Sequence, residues 1–139
     1  MIAQTGHSDV TTQGIRVRVA AELRSESPDG AGTTWNFAYR VVIRNEGTEA
    51  ATLRSRHWVV RDADARRRDV RGEGVVGAQP RLEPGETFSY ESGCSLATHW
   101  GTMEGSYRME RDDGSSFEAR IGRFFLAPNT APIGELDAD

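Results

Sequence analysis

The stretch RGEGVVG, Arg71 to Gly77, places Gly72, Gly74 and Gly77 in the spacing GxGxxG. Glycines so spaced let a backbone approach a phosphate closely and turn successive N–H groups toward one anion. Arg71 and Arg81 stand near them in sequence and would add charge. Gly72, Gly74, Gly77, Arg71 and Arg81 are therefore the candidate anion-binding residues. A dinucleotide-binding loop of this spacing needs a buried parallel strand before it and a helix after it, whose N-terminus holds the pyrophosphate. Neither flank qualifies. RRRDVR is too charged for a central strand, and Pro80 and Pro84 interrupt any helix downstream. Two readings survive: an anion nest between strands, or glycines that supply positive φ at a bulge or a crossing between sheets.

Other chemistry is thinly represented. All 17 basic residues are arginine, so mechanisms that need a Schiff-base or P-loop lysine are excluded. Residues 54–81 carry eight arginines against four acids, a local net of +4 on a chain whose total is −4. A basic segment on an acidic chain reads first as solvated arginines bordering strands, and beyond that suggests a local preference for anions rather than general nucleic-acid binding. His57, Cys94 and His99 follow no ligand spacing, and Cys94 is the sole cysteine, so neither a metal nor any other cofactor is expected. No catalytic residue is assigned. The absence of thiol pairs, of a long apolar run and of a leader-like start predicts a cytoplasmic protein without a membrane partner.

The elements that must carry these residues read as strands. In GIRVRVAAELR, Ile15, Val17, Val19, Ala21 and Leu23 alternate with polar residues, and in TWNFAYRVVIRNEG so do Trp35, Phe37, Tyr39, Val41 and Ile43. Further extended segments follow around Trp58, around a short charged stretch after DADARRR that suits a sheet edge, around Phe88 and Tyr90, around Met103, Tyr107 and Met109, and around Phe117 to Ile121. SESPDGAGT reads as a loop. About seven strands without a helix signal predict an all-β, immunoglobulin-like or fibronectin type III-like β-sandwich over residues 14–127. Residues 1–13 read as a flexible lead-in and 128–139 as an acidic tail. In MEGSYRM, Tyr107 fits either a tyrosine corner, whose hydroxyl bonds back to upstream backbone with Glu104 as the loop acid before it, or an ordinary strand tyrosine with a solvated hydroxyl.

Four pieces of the chain closely resemble the bacterial ApaG family, also called CorD-like. They are SRHW (Ser55 to Trp58), VRGEGVVGAQP (Val70 to Pro80), the pattern from Leu82 to Leu96 and GTMEGSYRM (Gly101 to Met109). The resemblance implies a fibronectin type III-like fold and binding of pyrophosphate or nucleotide phosphates at Gly72, Gly74 and Gly77 without established catalysis. It also implies a genomic association with diadenosine tetraphosphate hydrolase and a link to magnesium and cobalt resistance. Eukaryotic relatives are interaction domains within an F-box protein and a DNA-polymerase-interacting protein, which points to a protein partner. The expected function is thus a non-catalytic binding module. The alternative is a small enzyme or effector acting on phosphate compounds. His99 and Trp100 lie where relatives often differ and inherit no role.

Overall fold

The computed structural model describes residues 6–30 and 32–128. Nine strands run through them: β1 (His7–Thr12), β2 (Ile15–Asp29), β3 (Gly32–Asn45), β4 (Ala51–Asp62), β5 (Arg67–Glu73), β6 (Arg81–Leu82), β7 (Thr87–Leu96), β8 (Gly101–Arg111) and β9 (Ser116–Leu126). They form two antiparallel sheets, β1-β2-β3-β7 and β5-β4-β8-β9, with β6 paired to the start of β4. The sheets face each other as a β-sandwich. No helix among the described residues is long and apolar enough to cross a membrane.

Period-two alternation decides which side chains meet between the sheets. Ile15, Val17 and Val19 of β2 and Val41 and Ile43 of β3 are fully buried, and they face Leu53 and Trp58 of β4, Tyr107 and Met109 of β8 and Ile121 and Phe124 of β9. Trp58 sits at the centre, with edge-on rings from Tyr39 at 5.2 Å, Phe124 at 5.9 Å and Tyr107 at 6.3 Å between centroids. Such contacts add to the burial of large ring surfaces.

Three expectations need correction. The lead-in over residues 1–13 contains a strand. β1 pairs with β2 along its whole length, from His7 opposite Ala20 to Thr12 opposite Ile15. It also lies against β9, where a Cβ on Gly122 would come within 2.8 Å of Val10 Cγ2, and the Thr12 hydroxyl accepts from the Arg120 N–H at 3.1 Å. SESPDGAGT is mostly strand too. Asn36 donates to the Ser25 and Ser27 hydroxyls and accepts from Ser95, a polar ladder that carries the β2–β3 hairpin beyond the core. The expected tail over 128–139 lies outside the described residues apart from Pro128.

The third correction concerns Tyr107. Its phenol is fully buried, as a structural residue should be, but its hydroxyl meets the hydroxyl of Tyr90 on β7 in the opposite sheet rather than upstream backbone. Glu104 lies within β8, not in a loop, and pairs with Arg61 at 3.0 Å.

Two measurements check this architecture. Deleting residues 1–12 should cost about 2 kcal/mol or more in denaturant unfolding, because several ladder bonds worth roughly 1 kcal/mol each disappear; an unchanged midpoint would mean that β1 contributes nothing. Tyr107→Phe leaves the Tyr90 hydroxyl buried and unpaired and should cost about 1–3 kcal/mol, whereas adding Tyr90→Phe should recover part of the loss. Burial pushes both phenols above the ordinary range. The unfolded chain ionises them near pH ~10 while the fold keeps them neutral. Stability is therefore intact below about pH 10 and falls as pH rises above it, and the double phenylalanine variant should soften that fall.

Candidate functional site

The glycine corner is built around an arginine. Arg56 shares the inward parity of Trp58 and Val60 on β4 and lies directly opposite Gly72 on β5. Its guanidinium covers Gly72 so closely that a Cβ there would fall 2.8 Å from Cζ. Nη1 donates to the carbonyls of Glu73 at 3.1 Å and Gly74 at 2.8 Å. Gly74, at φ +63°, donates its N–H to the Arg54 carbonyl at 2.8 Å, and a Cβ on it would stand 2.3 Å from the Ala78 carbonyl oxygen. Val75 and Ala78 then exchange two 2.8 Å backbone bonds around Val76 and Gly77, both at positive φ, which is the geometry of a two-residue primed turn. The turn drives Val75 into the core.

The N–H groups of Gly74, Val75 and Ala78 are thus engaged within the fold. Gly74 and Gly77 take the positive φ that a corner between strands requires, while Gly72 continues β5 opposite Arg56. Arg81 does not join Arg71. It sits opposite Thr52, five positions along β4 from His57, which faces Arg71, a separation of roughly 17 Å at the strand rise. Its guanidinium grips Asp112 through Nε–Oδ1 at 3.1 Å and Nη2–Oδ2 at 2.5 Å, with Glu83 at 3.0 Å, and it holds the Asp112 carboxyl below the usual range.

What the fold does assemble beside Gly72 is a groove of about 440 Å³ on the outer face of the second sheet. Ser55 and His57 of β4, Arg71 of β5, Ser106 and Arg108 of β8 and Glu118 of β9 line it. Register places them there. Ser55 faces Arg108, His57 faces both Arg71 and Ser106, and Arg108 faces Glu118. Arg71 has 71% of its side chain exposed, with its nearest carboxylate, Asp69, at 3.9 Å. Asp69 is already engaged. Arg67 chelates it at 2.7 and 2.9 Å and His57 Nε2 meets it at 2.7 Å, and together they hold its carboxyl well below the usual carboxylate range. Ser106 donates to Glu118 at 3.0 Å. Two exposed guanidiniums, a hydroxyl and an oriented imidazole can receive an oxyanion.

The remaining candidates are scattered. Cys94 is buried in β7, where burial pushes its thiol up and Arg68 Nη2 approaches its sulfur at 3.5 Å. His99 stacks edge-on with Trp35. Among the described residues no three His, Cys, Asp or Glu side chains come together as a metal-ligating group. Sequence reasoning missed Arg56, His57 and Arg108 as neighbours of the glycine segment, and only strand register could have found them.

A model of the ApaG domain matches residues 25–111. The chain is 51% identical over 113 residues to Protein ApaG of Thiobacillus denitrificans, covering 81% of this chain and 89% of that one. It is 47% identical over 119 residues to Protein ApaG of Anaeromyxobacter dehalogenans, covering 86% and 94%. Its fold superposes on the crystal structure of a putative ApaA protein from Bordetella pertussis with a TM-score of 0.78 and 41% identity, over 92% of this chain and all of that one.

Alanine substitutions distinguish the duties of the three glycines. Gly74→Ala meets a backbone carbonyl at positive φ and should lose about 3 kcal/mol. Gly77→Ala has open space around it and should lose only the left-handed penalty of about 1 kcal/mol. Gly72→Ala displaces a flexible side chain and should change stability least, with the change abolished in an Arg56→Ala background. Equal effects in urea unfolding would sink this division.

Proposed function

The chain belongs to the ApaG domain family, and on that footing we propose that it is a non-catalytic binding module. It engages a protein partner and meets pyrophosphate or the phosphates of a nucleotide at the groove over its second sheet. The observation that carries this reading is the pair of exposed guanidiniums, Arg71 and Arg108, on either side of Ser55 and His57. The resemblance to eukaryotic interaction domains supports the protein partner. The lone buried Cys94 suits a reducing cytoplasm. A second reading, a small enzyme or effector acting on phosphate compounds, draws on one arrangement in the same groove: His57 held by Asp69 and facing Ser106 across the strands.

Phosphate binding should be weak. Among the described residues no helix terminus adds its dipole, the chain has no lysine, and Glu73 and Glu118 lie in the groove. Millimolar affinity, about 4 kcal/mol, is expected. Titration with pyrophosphate followed by NMR should move the amides of Ser55, His57, Arg71, Gly72 and Arg108 together. The shifts should shrink in high salt and vanish in Arg71→Ala/Arg108→Ala. Magnesium with a nucleoside triphosphate should give no hydrolysis above buffer. Shifts confined to other surfaces would remove the groove from the reading, and hydrolysis that survives repurification but not His57→Ala would favour the enzyme.

A further inference from the structure

The two edge strands that flank the open side of the sandwich differ in kind. β5, RRDVRGE, carries five charged residues among seven, the composition by which native sheets deter added strands. β7, TFSYESGCSL, is ten residues long with one charge, Glu91, and no proline. It is the edge of its sheet, and among the described residues no strand pairs with its outer side. Its outward N–H and C=O groups from Thr87 to Gly93, which no other strand of the described residues meets, form a template for strand addition.

Both faces next to that edge have a definite chemistry. On the outer face Arg40 and Arg44 of β3 lean across β7. Arg44 reaches the Thr87 hydroxyl at 3.4 Å, and Arg40 reaches the Ser89 hydroxyl at 3.3 Å and Glu91 at 3.9 Å. Their guanidiniums therefore lie within about one strand spacing, ~4.8 Å, of where the next strand would run. On the inner face the seam toward β5 is incompletely filled. Val70, directly opposite the buried Trp58 and so on the same side, is 38% exposed, and Phe88 is only partly buried. Arg68 crosses the seam to the Ser95 carbonyl at 3.4 Å and closes its far end.

We propose that the outer edge of β7, from Thr87 to Gly93, docks an extended segment of a partner protein whose acidic and apolar residues alternate. The acids would face Arg40 and Arg44, and the apolar side chains would cover Val70 and Phe88. The backbone ladder supplies affinity, and the alternation supplies specificity. A second copy of this chain fits less well, because its β7 would bring a single acid to the arginines. This inference rests on the partner-binding reading above and names the surface and the chemistry of the partner.

The test uses the full chain and a synthetic peptide, acetyl-Thr-Glu-Val-Glu-Val-Glu-Val-Thr-amide, with a control in which lysine replaces each glutamate. The acidic peptide should slow amide hydrogen exchange at alternate residues between Thr87 and Gly93, and the lysine peptide should bind at least tenfold more weakly. Arg40→Glu/Arg44→Glu should reverse that preference. Equal binding of the two peptides, protection on β5 instead, or no protection overturns the proposal. So does alternating protection of β7 in the free chain: if concentration-dependent it means that a second copy holds the edge, and if not, that the chain's own residues do. Pyrophosphate titrated in the same spectra reports on the groove of the other sheet, so a silent β7 beside a responsive groove would sink this inference alone.

Discussion

An arginine directed toward a protein interior must find acceptors before it can be buried, and Arg56 finds them in the carbonyls of Glu73 and Gly74. Bringing those carbonyls within reach dictates the local chain. The residue opposite Arg56 is a glycine, so the guanidinium can lie over it, and a Cβ there would push that flexible side chain aside. The chain must then fold back tightly on Ala78, which fixes Gly74 and the primed turn at Val76 and Gly77. The turn in turn delivers Val75 to the core. The guanidinium also brings positive charge near the phenols of Tyr39, Tyr90 and Tyr107, where it opposes their burial-driven rise in pKa. The glycine spacing thus serves, at the least, to bring hydrogen-bond acceptors to an arginine at the rim of the sandwich.

The same need appears at both seams between the sheets, with different solutions. Along one seam β1 lies on β9 and the gap closes with backbone. Along the other, β5 and β7 stay apart, and the side chains of Arg56, Arg68 and Val75 occupy only part of the space. Asn45 ties off the base of that side. Fully buried, it donates to the carbonyls of Glu49 and Leu82, accepts from Gly47 N–H, and through its backbone meets Gly85 and Glu86. Every polar group of its side chain has a partner, as a buried amide requires.

Alternation made the central strands legible, because one face of β2 and β3 is buried without exception from Ile15 to Ala21 and from Phe37 to Ile43. It failed at HSDVTT. Val10 is its only strongly apolar residue, so β1 has no hydrophobic face of its own and is held by pairing with β2 and by β9. The serines and proline of SESPDGAGT read as loop chemistry, yet their hydroxyls serve a ladder centred on Asn36. Tyr107 was legible as a buried phenol, but the strand that supplies its partner, Tyr90, lies in the other sheet, and sequence distance says nothing of that. The groove was least legible. Its members come from four strands, and only register sets His57 between Arg71 and Ser106.

Net charge hides how the arginines are sorted. Arg81 on Asp112, Arg67 on Asp69 and Arg16 on Asp9 are each chelated by a carboxylate and serve the surface as neutral clasps. Arg71 and Arg108 stand over the second sheet, while Arg40 and Arg44 stand over the edge of the first, beside the Thr87 and Ser89 hydroxyls and the acids Glu46 and Glu91. An exposed ion pair is worth little to stability, so arginines that a carboxylate does not grip through two bonds can turn toward an incoming anion at little cost to the fold. An acidic chain can therefore present two separate cationic surfaces. At ordinary ionic strength, with a Debye length of about 8 Å, each acts on what touches it and not on what approaches from afar, so recognition at either surface must come from contact geometry rather than from steering.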